Sequence, residues 1–500
     1  MEDGEREMTG DWKKYVGILL PLAVVIAAPL LLRDEGVMGA GEAELRLEVI
    51  TPHNETIRRE FGEAFAAYWR EKTGQSVYVN WRTPGGTSEI KRVLDSSFEA
   101  AKETGREGIG LDVFFGGGEY DFSKQAELGQ FARLDVFETQ KALFEEGVIP
   151  QRMSGEKYYD EEGLWVGVVL SSFGICYNPE MVAARGLEVP DSWRDLGEPG
   201  YVRGIALADT TKSSSVTKAF EMLVQEVMQD RLAAVKVSDH EAAVAEGWAE
   251  GLQLIQRIGA NARYFTDSSS KIPHDVAQGD AVAGMCIDFY GRTFNEKLKE
   301  KDGTSRLEFL TPVGGSSISV DPVAVLRGAP HPELAQGFVE YLLTPEAQML
   351  WNARVGEPMG PKYRALRRLP IRRDLYEGET LAMMVDQDAQ PYLAAEAFTY
   401  DGSLTGRLFN PLRTIVRVMC IDADEELKEA WGALIAAGFP PEATARFSDM
   451  SAVSYEKAGG EITTALKSAD KVEAARLVNR LGKEFRSNYR EATRLAREGL

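Results

Sequence analysis

Residues 166–178, Val-Gly-Val-Val-Leu-Ser-Ser-Phe-Gly-Ile-Cys-Tyr-Asn, form the apolar stretch that decides the fold. Such a β-branched run followed by a proline, here Pro179, is typical of a β-strand that ends in a turn. The run is long for one strand, and Ser171, Ser172 and Gly174 interrupt it where a strand can bend or change partners. Alone, it favours a kinked central strand of a single domain. Because an αβ pattern of about domain size flanks it on each side, it also fits a strand that passes between two lobes as a hinge.

The composition is that of an ordinary globular protein. With 44% hydrophobic and 27% charged residues, the 500-residue chain is neither disordered nor fibrous, and its length suggests roughly two to four domains. The formal net charge of -21 argues against a nucleic-acid-binding surface, which needs basic patches. It says little about the charge of a small ligand, because a helix terminus or a few side chains set the local potential. The cysteines are sparse, match no metal-binding spacing and are expected to be buried thiols.

An uncharged apolar segment, Tyr15–Leu32, lies near the N-terminus. Its length of about 18 residues is roughly enough to span the core of a bilayer. Lys13 and Lys14 precede it and acidic residues follow Arg33, so the positive-inside rule places the N-terminus in the cytoplasm. No small-x-small cleavage site or lipid-accepting cysteine follows directly, which predicts an uncleaved anchor; a cleaved signal peptide is the alternative. In both cases the rest of the chain is exported.

The first part of the exported chain alternates strands and helices. Leu45–Thr51, Val77–Trp81 and Leu111–Phe115 have strand patterns, and amphipathic helices are predicted between them. This β-α-β-α-β order implies a parallel sheet whose ligands meet the loops beyond the carboxyl ends of the strands. Candidate ligand-binding residues on that edge are His53, Asn54, Gly86, Thr87 and Gly117.

A hydroxyl-rich loop follows the next predicted strand, Ile205–Ala208, and precedes a helix. Hydroxyl residues at a helix start can simply cap it. The three serines Ser213, Ser214 and Ser215, with two threonines before them, exceed what one cap needs. Free N–H groups and hydroxyls at the positive end of a helix dipole also form an anion site. Composition alone leaves the cap and the anion site as equal alternatives.

A further strand, Ala281–Phe289, is predicted to run into Tyr290. Asp288 interrupts this apolar run, and its plain interpretation is a solvent-exposed residue at the strand end. From residue 361 to 500 there is little strand signal, and the clearest element is a final amphipathic helix with apolar residues every fourth position over Leu477–Tyr489. That helix docks either on this protein's own core or on a partner.

Several catalytic motifs are absent from the sequence. There is no Walker loop, no nucleophile-elbow Gly-x-Ser-x-Gly between a strand and a helix, and no His-Glu-x-x-His. The chain has only 4 histidines, which leaves few general bases, although carboxylates could take that role.

Five segments, in order, resemble the bacterial extracellular solute-binding proteins of ABC importers, in the ferric-binding branch of the two-lobed periplasmic receptors. These segments are Thr51–Glu55, Asp112–Gly117, Ser171–Ile175, Gly279–Met285 and Pro312–Pro322. The resemblance covers most of residues 45–351. It implies an α/β fold of the two-lobed, type 2 periplasmic-binding class, in which each lobe is a mainly parallel sheet flanked by helices.

This resemblance divides the chain into four parts. Residues 1–44 would form the cytoplasmic N-terminus, anchor and spacer, and residues 45–170 plus 309–365 the first lobe. Residues 171–308 would form the second lobe, and residues 366–500 an α-helical C-terminal extension. The protein would lie in the periplasm as a monomer, anchored to the inner membrane by its N-terminal helix.

Ferric-binding relatives hold iron with a histidine after the first strand, a glutamate after the third strand and a tyrosine pair in the second lobe. His53 and Tyr290 match two of these positions and are the candidate metal ligands. Phe289 replaces the other tyrosine, and Gly117 stands where the glutamate would be, with Glu119 nearby. Because Fe(III) prefers hard anionic oxygen ligands, these losses weaken the ferric assignment.

The family's anion-contacting hydroxyl stretch matches Ser213–Ser215, which some relatives use for phosphate-bearing organic solutes. We therefore expect a non-catalytic receptor that closes on a small anionic solute and passes it to an inner-membrane ABC permease, with ferric iron as the only candidate cofactor. An enzyme on the same scaffold, or a membrane-anchored sensor or scaffold that binds a partner protein, are the alternatives. The predicted ligand-binding residues are His53, Asn54, Gly86, Thr87, Gly117, Ser171, Ser213, Ser214, Ser215, Asp288 and Tyr290.

Overall fold

The structure is a computed structural model that describes residues 41–498. The predicted membrane segment, Tyr15–Leu32, lies outside these residues. Within the described part of the chain, no helix is both long enough and apolar enough to cross a membrane. The N-terminal anchor therefore stays a prediction.

The described residues form short strands separated by helices, with a helical C-terminal region. The strands are β1 (Leu45–Ile50), β2 (Val77–Arg82), β3 (Val113–Phe115), β4 (Arg152–Met153), β5 (Glu156–Lys157), β6 (Val166–Ser171), β7 (Phe173–Tyr177), β8 (Ile205–Ala208), β9 (Ala262–Thr266), β10 (Ala283–Ile287), β11 (Glu308–Leu310), β12 (Ser319–Val325) and β13 (Leu369–Pro370). The α-helices are α1 (Glu55–Thr73), α2 (Thr87–Glu103), α3 (Glu119–Glu127), α4 (Val136–Thr139), α5 (Ala142–Glu145), α6 (Pro179–Ala184), α7 (Ser214–Ala234), α8 (His240–Ala260), α9 (Ile272–Gln278), α10 (Asp288–Lys297), α11 (Pro332–Leu342), α12 (Pro345–Leu350), α13 (Gly378–Met383), α14 (Pro391–Ala394), α15 (Gly402–Thr405), α16 (Phe409–Val416), α17 (Asp424–Ala437), α18 (Pro441–Phe447), α19 (Tyr455–Lys457), α20 (Thr463–Lys467) and α21 (Lys471–Glu498).

Two sheets organise the two lobes. The first sheet has the order β13-β6-β12-β3-β1-β2, and the second has the order β11-β7-β10-β8-β9. The stretch 166–178 supplies β6 to the first sheet and β7 to the second, and only Ser172 lies between these strands. The chain returns to the first sheet between β11 and β12. The prediction of a strand that passes between two lobes is confirmed, and the kinked strand of a single domain is wrong.

Both sheets are mixed, which corrects the prediction of mainly parallel sheets. In the first sheet β1 is parallel to β2 and β3, whereas β12 pairs antiparallel with β3 and β6, and β13 pairs antiparallel with β6. In the second sheet β7 pairs antiparallel with both β10 and β11. The antiparallel pairs of connecting strands arise because the chain crosses to the second lobe after β6 and returns after β11. A chain that leaves a lobe on one strand and returns on the neighbouring strand runs in opposite directions along the two.

Two short strands lie on the other side of the predicted lobe boundaries. Phe309 and Leu310, expected in the first lobe, pair with Cys176 and Ile175 of β7 in the second sheet. Leu369–Pro370, expected in the helical extension, pairs with β6 in the first sheet. Strands this short carry almost no periodic pattern, so their pairing follows from the neighbouring strand rather than from their own sequence.

The C-terminal chain packs on both lobes. Leu366, Ile371 and Ala395 belong to the apolar core of the first lobe, together with the side chains of β1, β3 and β6. From Leu404 onward, the buried residues of the C-terminal helices share one core with the second lobe. The chain therefore passes from one lobe to the other a third time, between residues 395 and 404.

The last helix, α21, docks on the protein's own core. Leu477, Leu481, Phe485 and Tyr489 on its apolar face are all buried. The Tyr489 hydroxyl donates to the Met419 carbonyl oxygen at 3.0 Å. Because burial of each large apolar side chain contributes about 1.5–3 kcal/mol, this face alone explains why the helix stays attached.

The strand between the lobes depends on a glycine. A Cβ added at Gly174 would lie 2.1 Å from the Leu310 carbonyl oxygen and 2.6 Å from the Phe309 ring. We expect Gly174→Ala to lower the free energy of unfolding by roughly 1–3 kcal/mol, because the overpacked strand must shift. Gly432→Ala is the matched control, since no atom lies within 4 Å of its added Cβ and alanine favours a helix. Urea denaturation measures both, and equal losses of stability would contradict the prediction.

Candidate functional site

A cavity of about 1040 Å³ lies between the two lobes, and the C-terminal chain forms part of its wall. Nearly all the residues that the sequence predicted for the site line this cavity, although these residues come from loops far apart in the chain. The predicted residues that line the cavity are His53, Asn54, Gly86, Thr87, Gly117, Ser171, Ser213, Ser214, Ser215 and Tyr290.

Asp288 is the exception and corrects the prediction. It is not among the residues that line the cavity, and only 1% of its surface is exposed. Its carboxylate accepts a hydrogen bond from the Phe289 backbone N–H at 2.8 Å and forms an ion pair with Arg292 at 2.5 Å. Asp288 begins helix α10, where a carboxylate satisfies a free N–H group and is favoured by the helix dipole. Its role is structural.

The loops after β1 and β3 pack closely because glycines stand where they meet. Gly116 has a φ of 88°, and a Cβ there would lie 2.4 Å from the His53 ring. Gly117 has a φ of 145°, and a Cβ there would lie 3.0 Å from the Thr87 methyl group. Both angles favour glycine, so an acidic residue at position 117, as in ferric-binding relatives, would be strained here. Asn54 caps helix α1 by accepting a hydrogen bond from the Ile57 N–H at 3.1 Å.

The serine loop, residues 213–215, lies at the N-terminus of helix α7, a helix of 21 residues. The Ser213 hydroxyl caps this helix by accepting from the Val216 N–H at 3.4 Å. Ser214 and Ser215 are only partly buried and line the cavity beside it. The cap and the surplus hydroxyl groups are therefore both present, and the positive end of the helix dipole is directed at the cavity wall.

A carboxylate from the first lobe already lies at this helix N-terminus. The Ser214 hydroxyl donates to Asp121 Oδ2 across the cleft at 3.3 Å. Lys91 forms an ion pair with the other oxygen of Asp121 at 3.2 Å and compensates its charge. The contact joins the two lobes, and an anionic ligand at the serine loop would take the place of this carboxylate.

Arg368 is a central site residue that the sequence analysis missed. It lines the cavity, yet only 1% of its surface is exposed. Its guanidinium forms an ion pair with Asp321 at 2.6 Å and donates to the Ser171 hydroxyl at 2.6 Å. It also lies over the Phe289 ring of the second lobe at 4.6 Å. Burial raises the pKa of Asp321, but the Arg368 charge and the hydrogen bonds to Arg368 and His53 outweigh it, so the pKa is lowered overall.

His53 is buried beside this ion pair. Its Nε2 lies 3.3 Å from Arg368 Nη1 and 3.5 Å from Asp321 Oδ2. Nε2 thus lies between a guanidinium, which only donates hydrogen bonds, and a carboxylate, which only accepts them, whereas Nδ1 has no hydrogen-bond partner within residues 41–498. Burial lowers the pKa of His53, Asp321 opposes this in part, and the Arg368 charge lowers the pKa further.

The residues around His53 do not fit a ferric ion. A fixed guanidinium 3.3 Å from Nε2 repels a cation at the nitrogen that would bind it. Burial raises the pKa of Tyr290, against the opposing effects of Arg368 and Asn54, which disfavours the phenolate that Fe(III) needs. Among residues 41–498, no group of three or more histidine, cysteine, aspartate or glutamate side chains could hold a metal ion.

A second group of charges joins the lobes beside the cavity. Lys218 of helix α7 forms ion pairs with Glu156 of the first lobe at 3.1 Å and with Glu221 at 3.2 Å. Its ammonium group lies 3.7 Å from the centre of the Tyr400 ring. Burial lowers the pKa of Lys218, but the two carboxylates raise it well above its ordinary value overall. Lys218 is therefore a fixed positive charge of the cleft wall.

The two sheets, the crossings between them and the cleft define a two-lobed periplasmic binding protein. Residues 112–373 match the family of bacterial extracellular solute-binding proteins. The chain belongs to this family.

Among curated proteins, the chain resembles the phosphoglycerate transport regulatory protein PgtC of Salmonella typhimurium. The two are 29% identical over 198 residues, which is 39% of this chain and 43% of the relative. The chain thus matches less than half the length of that relative. An uncharacterized protein of Haemophilus influenzae is 24% identical over 336 residues, 66% of this chain and 82% of that protein.

Solved structures share the fold at low identity. The periplasmic binding protein AfuA of Actinobacillus pleuropneumoniae, with fructose-6-phosphate bound, superposes with a TM-score of 0.50 at 17% identity, over 74% of this chain and 99% of that one. Iron-bound HitA of Pseudomonas aeruginosa gives a TM-score of 0.50 at 16% identity, with the same coverage of 74% and 99%. These likenesses establish the two-lobed fold.

The lowered pKa of His53 makes the folded protein sensitive to acid. In the unfolded chain this residue takes a proton near its ordinary pKa of about 6.5, whereas the folded protein keeps the ring neutral to lower pH. The unfolded state therefore binds more protons below this pH, and the free energy of unfolding falls as the pH drops. Between about pH 7.5 and pH 5.5, we expect His53 to account for a loss of up to about 1.4 kcal/mol.

The variant His53→Gln should remove this part of the pH dependence. His274→Gln, whose side chain is 51% exposed in the native protein, should leave it in place. Urea denaturation of the wild type and both variants across this pH range measures the effect. If the wild type and His53→Gln lose the same stability on acidification, His53 is not the group responsible.

Proposed function

We propose that the protein is the substrate-binding component of an ABC importer, which captures a small anionic organic solute in the cleft between its lobes. The lobes close on the solute by bending at the strands that connect them, and the closed form delivers it to an inner-membrane permease. The protein binds its solute and does not transform it. The N-terminal segment would hold it at the outer face of the inner membrane.

The observation that carries this proposal is the serine loop at the start of helix α7, facing the cavity. Backbone N–H groups, two hydroxyls (Ser214 and Ser215) and the dipole of a long helix favour a negatively charged group there. Four cations that line the same cavity form no ion pair within residues 41–498 and would add to the attraction. They are Lys157, Lys212, Arg407 and Lys467.

The opposite wall, from the first lobe, suits the uncharged polar part of the solute. Asp321 is partly exposed there, but its charge is balanced by Arg368 at 2.6 Å. Asn54 and Thr87 offer neutral donors and acceptors on the same wall, and Tyr290 of the second lobe lines the same cavity. A solute with an anionic end and hydroxyl or carbonyl groups at the other end fits both walls.

The relatives are consistent with a phosphorylated solute. PgtC, 29% identical over 39% of this chain, is named for phosphoglycerate transport. A phosphoryl group is a strong acceptor of several hydrogen bonds and is commonly bound at helix N-termini. We therefore propose phosphorylated small organic acids or alcohols as the solutes to examine. Iron-bound HitA shares the fold, but the guanidinium beside His53 and the raised pKa of Tyr290 do not suit ferric iron, which serves as the contrasting ligand in the tests.

Removal of one hydroxyl of the serine loop tests the anion site. Ser214→Ala should weaken binding of a phosphorylated solute about tenfold or more, because a hydrogen bond to a charged group contributes about 1.5–3 kcal/mol. The matched control is Ser96→Ala, whose exposed hydroxyl bonds only to the Val93 carbonyl oxygen at 3.2 Å. Titration calorimetry with 3-phosphoglycerate and glycerol 3-phosphate measures the affinities. Unchanged affinity in Ser214→Ala would contradict the proposed anion site.

The variant Tyr290→Phe distinguishes the proposed organic anion from ferric iron. It should abolish binding of ferric iron, which requires the phenolate, but cost an organic anion only one hydrogen bond, about 0.5–1.5 kcal/mol. The same titrations, with ferric citrate added to the panel, distinguish these results. If Tyr290→Phe loses all binding while Ser214→Ala binds normally, the solute is ferric iron.

A further inference from the structure

The third passage of the chain between the lobes, residues 395–404, runs beside the hinge formed by the two earlier connections. The Tyr400 backbone N–H donates to the Ser154 carbonyl oxygen of the first lobe at 2.7 Å. The Tyr400 hydroxyl donates to Glu221 of the second lobe at 3.0 Å. This passage also lies beside the returning connection 311–318, since a Cβ added at Gly314 would be 3.7 Å from the Ala397 carbonyl oxygen. The C-terminal chain therefore enters the second lobe close to the hinge.

From there, helix α16 (Phe409–Val416) reaches a different part of the cleft. Arg413 of this helix is only 8% exposed. Its guanidinium donates to the carbonyl oxygens of Thr210 at 2.9 Å and Thr211 at 2.8 Å, both in the second lobe. It also donates to the Ser88 hydroxyl of the first lobe at 2.7 Å. One buried side chain thus joins the two lobes directly.

The positions of these partners in the sheets place the contact away from the hinge. Ser88 lies in the first turn of α2, which follows β2, and β2 is the edge strand farthest from the connecting strand β6 and its neighbour β13. Thr210 follows β8, which is separated from the connecting strand β7 by β10. A link between points remote from a hinge resists opening more effectively than a link at the hinge, because those points separate most.

A second contact of the same helix supports this arrangement. The Phe409 ring of α16 packs on the Tyr120 ring of the first lobe, with centroids 4.6 Å apart. Phe409 itself belongs to a helix whose Leu412, Ile415 and Val416 are buried in the core of the second lobe. Helix α16 is therefore fixed to the second lobe and touches the first lobe through Phe409 and Arg413.

We propose that helix α16 is a clasp that holds the mouth of the cleft closed. Opening of the lobes requires Arg413 to release Ser88, while its bonds to Thr210 and Thr211 keep the serine loop in position. Arg413 is thus a positioning residue of the binding site and, with Phe409, sets the balance between open and closed forms. This regulation rests on the proposed function, since it acts on the same cleft, but it concerns the ligand-free protein.

The distance between the lobes in the ligand-free protein tests the clasp. Spin labels attach to introduced cysteines at Arg92 of the first lobe, 70% exposed, and Lys271 of the second lobe, 59% exposed. The native cysteines are all buried and stay unlabelled. Pulsed electron resonance then gives the distribution of interlobe distances, and the ratio of long to short distances reports the open fraction.

Ser88→Ala removes only the hydrogen bond that Arg413 makes to the first lobe and should raise the ratio of open to closed forms about tenfold, as expected for one hydrogen bond to a charged group. Arg413→Ala should raise it at least as much. Arg417→Ala is the matched control, an exposed arginine on the same helical segment that pairs only with Asp422 at 3.3 Å, and should leave the distances unchanged.

If Ser88→Ala and Arg413→Ala keep the distance distribution of the wild type, helix α16 is not a clasp. Should Arg413→Ala fold poorly, the result for Ser88→Ala decides, because the buried arginine and its bonds to the second lobe remain. The measurement needs no solute. A failure of the anion titrations with a positive distance result would therefore overturn the proposed solute class and leave the clasp in place.

Discussion

The lobes of this protein are joined by a strand that changes sheets at a single residue, and the rest of the structure depends on this constraint. Ser172 is the only residue between β6 and β7. Its neighbours are held on all sides: the Phe173 N–H donates to the Ser316 hydroxyl at 3.1 Å, and the Asp288 N–H donates to the Ser172 carbonyl oxygen at 3.0 Å. Because these backbone groups are paired, the position at which the chain changes sheets is defined, and with it the point about which the lobes can move.

The position of the connecting strands explains why the two walls of the cleft differ in their chemistry. The connecting strands bring Ser171 to Arg368, and Arg368 to Asp321, so that the floor of the cleft is a buried and balanced ion pair. A buried charge is tolerated only when it is paired and hydrogen-bonded, which accounts for the pairing of this arginine. The serine loop on the opposite wall is contacted instead by Asp121 of the first lobe, whose charge is compensated by Lys91. The two walls therefore differ in the chemistry that they present to a solute.

The C-terminal chain turns a two-lobed receptor into one with three connections. Two connections, β6 to β7 and β11 to β12, are short and join strands of the two sheets. The third passes Tyr400 and leads into helices that share the core of the second lobe, so it adds mass to one lobe and contacts to the other. If the proposed clasp holds, closure of the lobes involves the C-terminal helices as well as the solute, and those helices take part in the binding equilibrium.

The sequence by itself determined the β-α-β order of the first lobe and the loops that face the cleft, and it allowed a strand between the lobes beside a kinked strand of one domain. These features are local: an apolar run interrupted by Ser171 and Ser172, strand ends followed by glycines, and hydroxyls before a helix. It also predicted ten of the residues that line the cavity. Five of them lie on loops at the carboxyl ends of neighbouring strands, which meet at one edge, and the others came from the hydroxyl-rich loop and the family resemblance.

Only the tertiary structure decided the rest. Arg368 reaches Ser171 across 197 positions of the chain, and Arg413 reaches Ser88 across 325. No periodicity or motif announces such pairs, since a single arginine in a polar segment usually lies in solvent. Asp288 lies outside the cavity because it has a local partner. Arg292, four residues away on the same helix, pairs with its charge. Patterns along the chain reveal what repeats locally, whereas ion pairs between distant residues depend on how the folded surfaces meet.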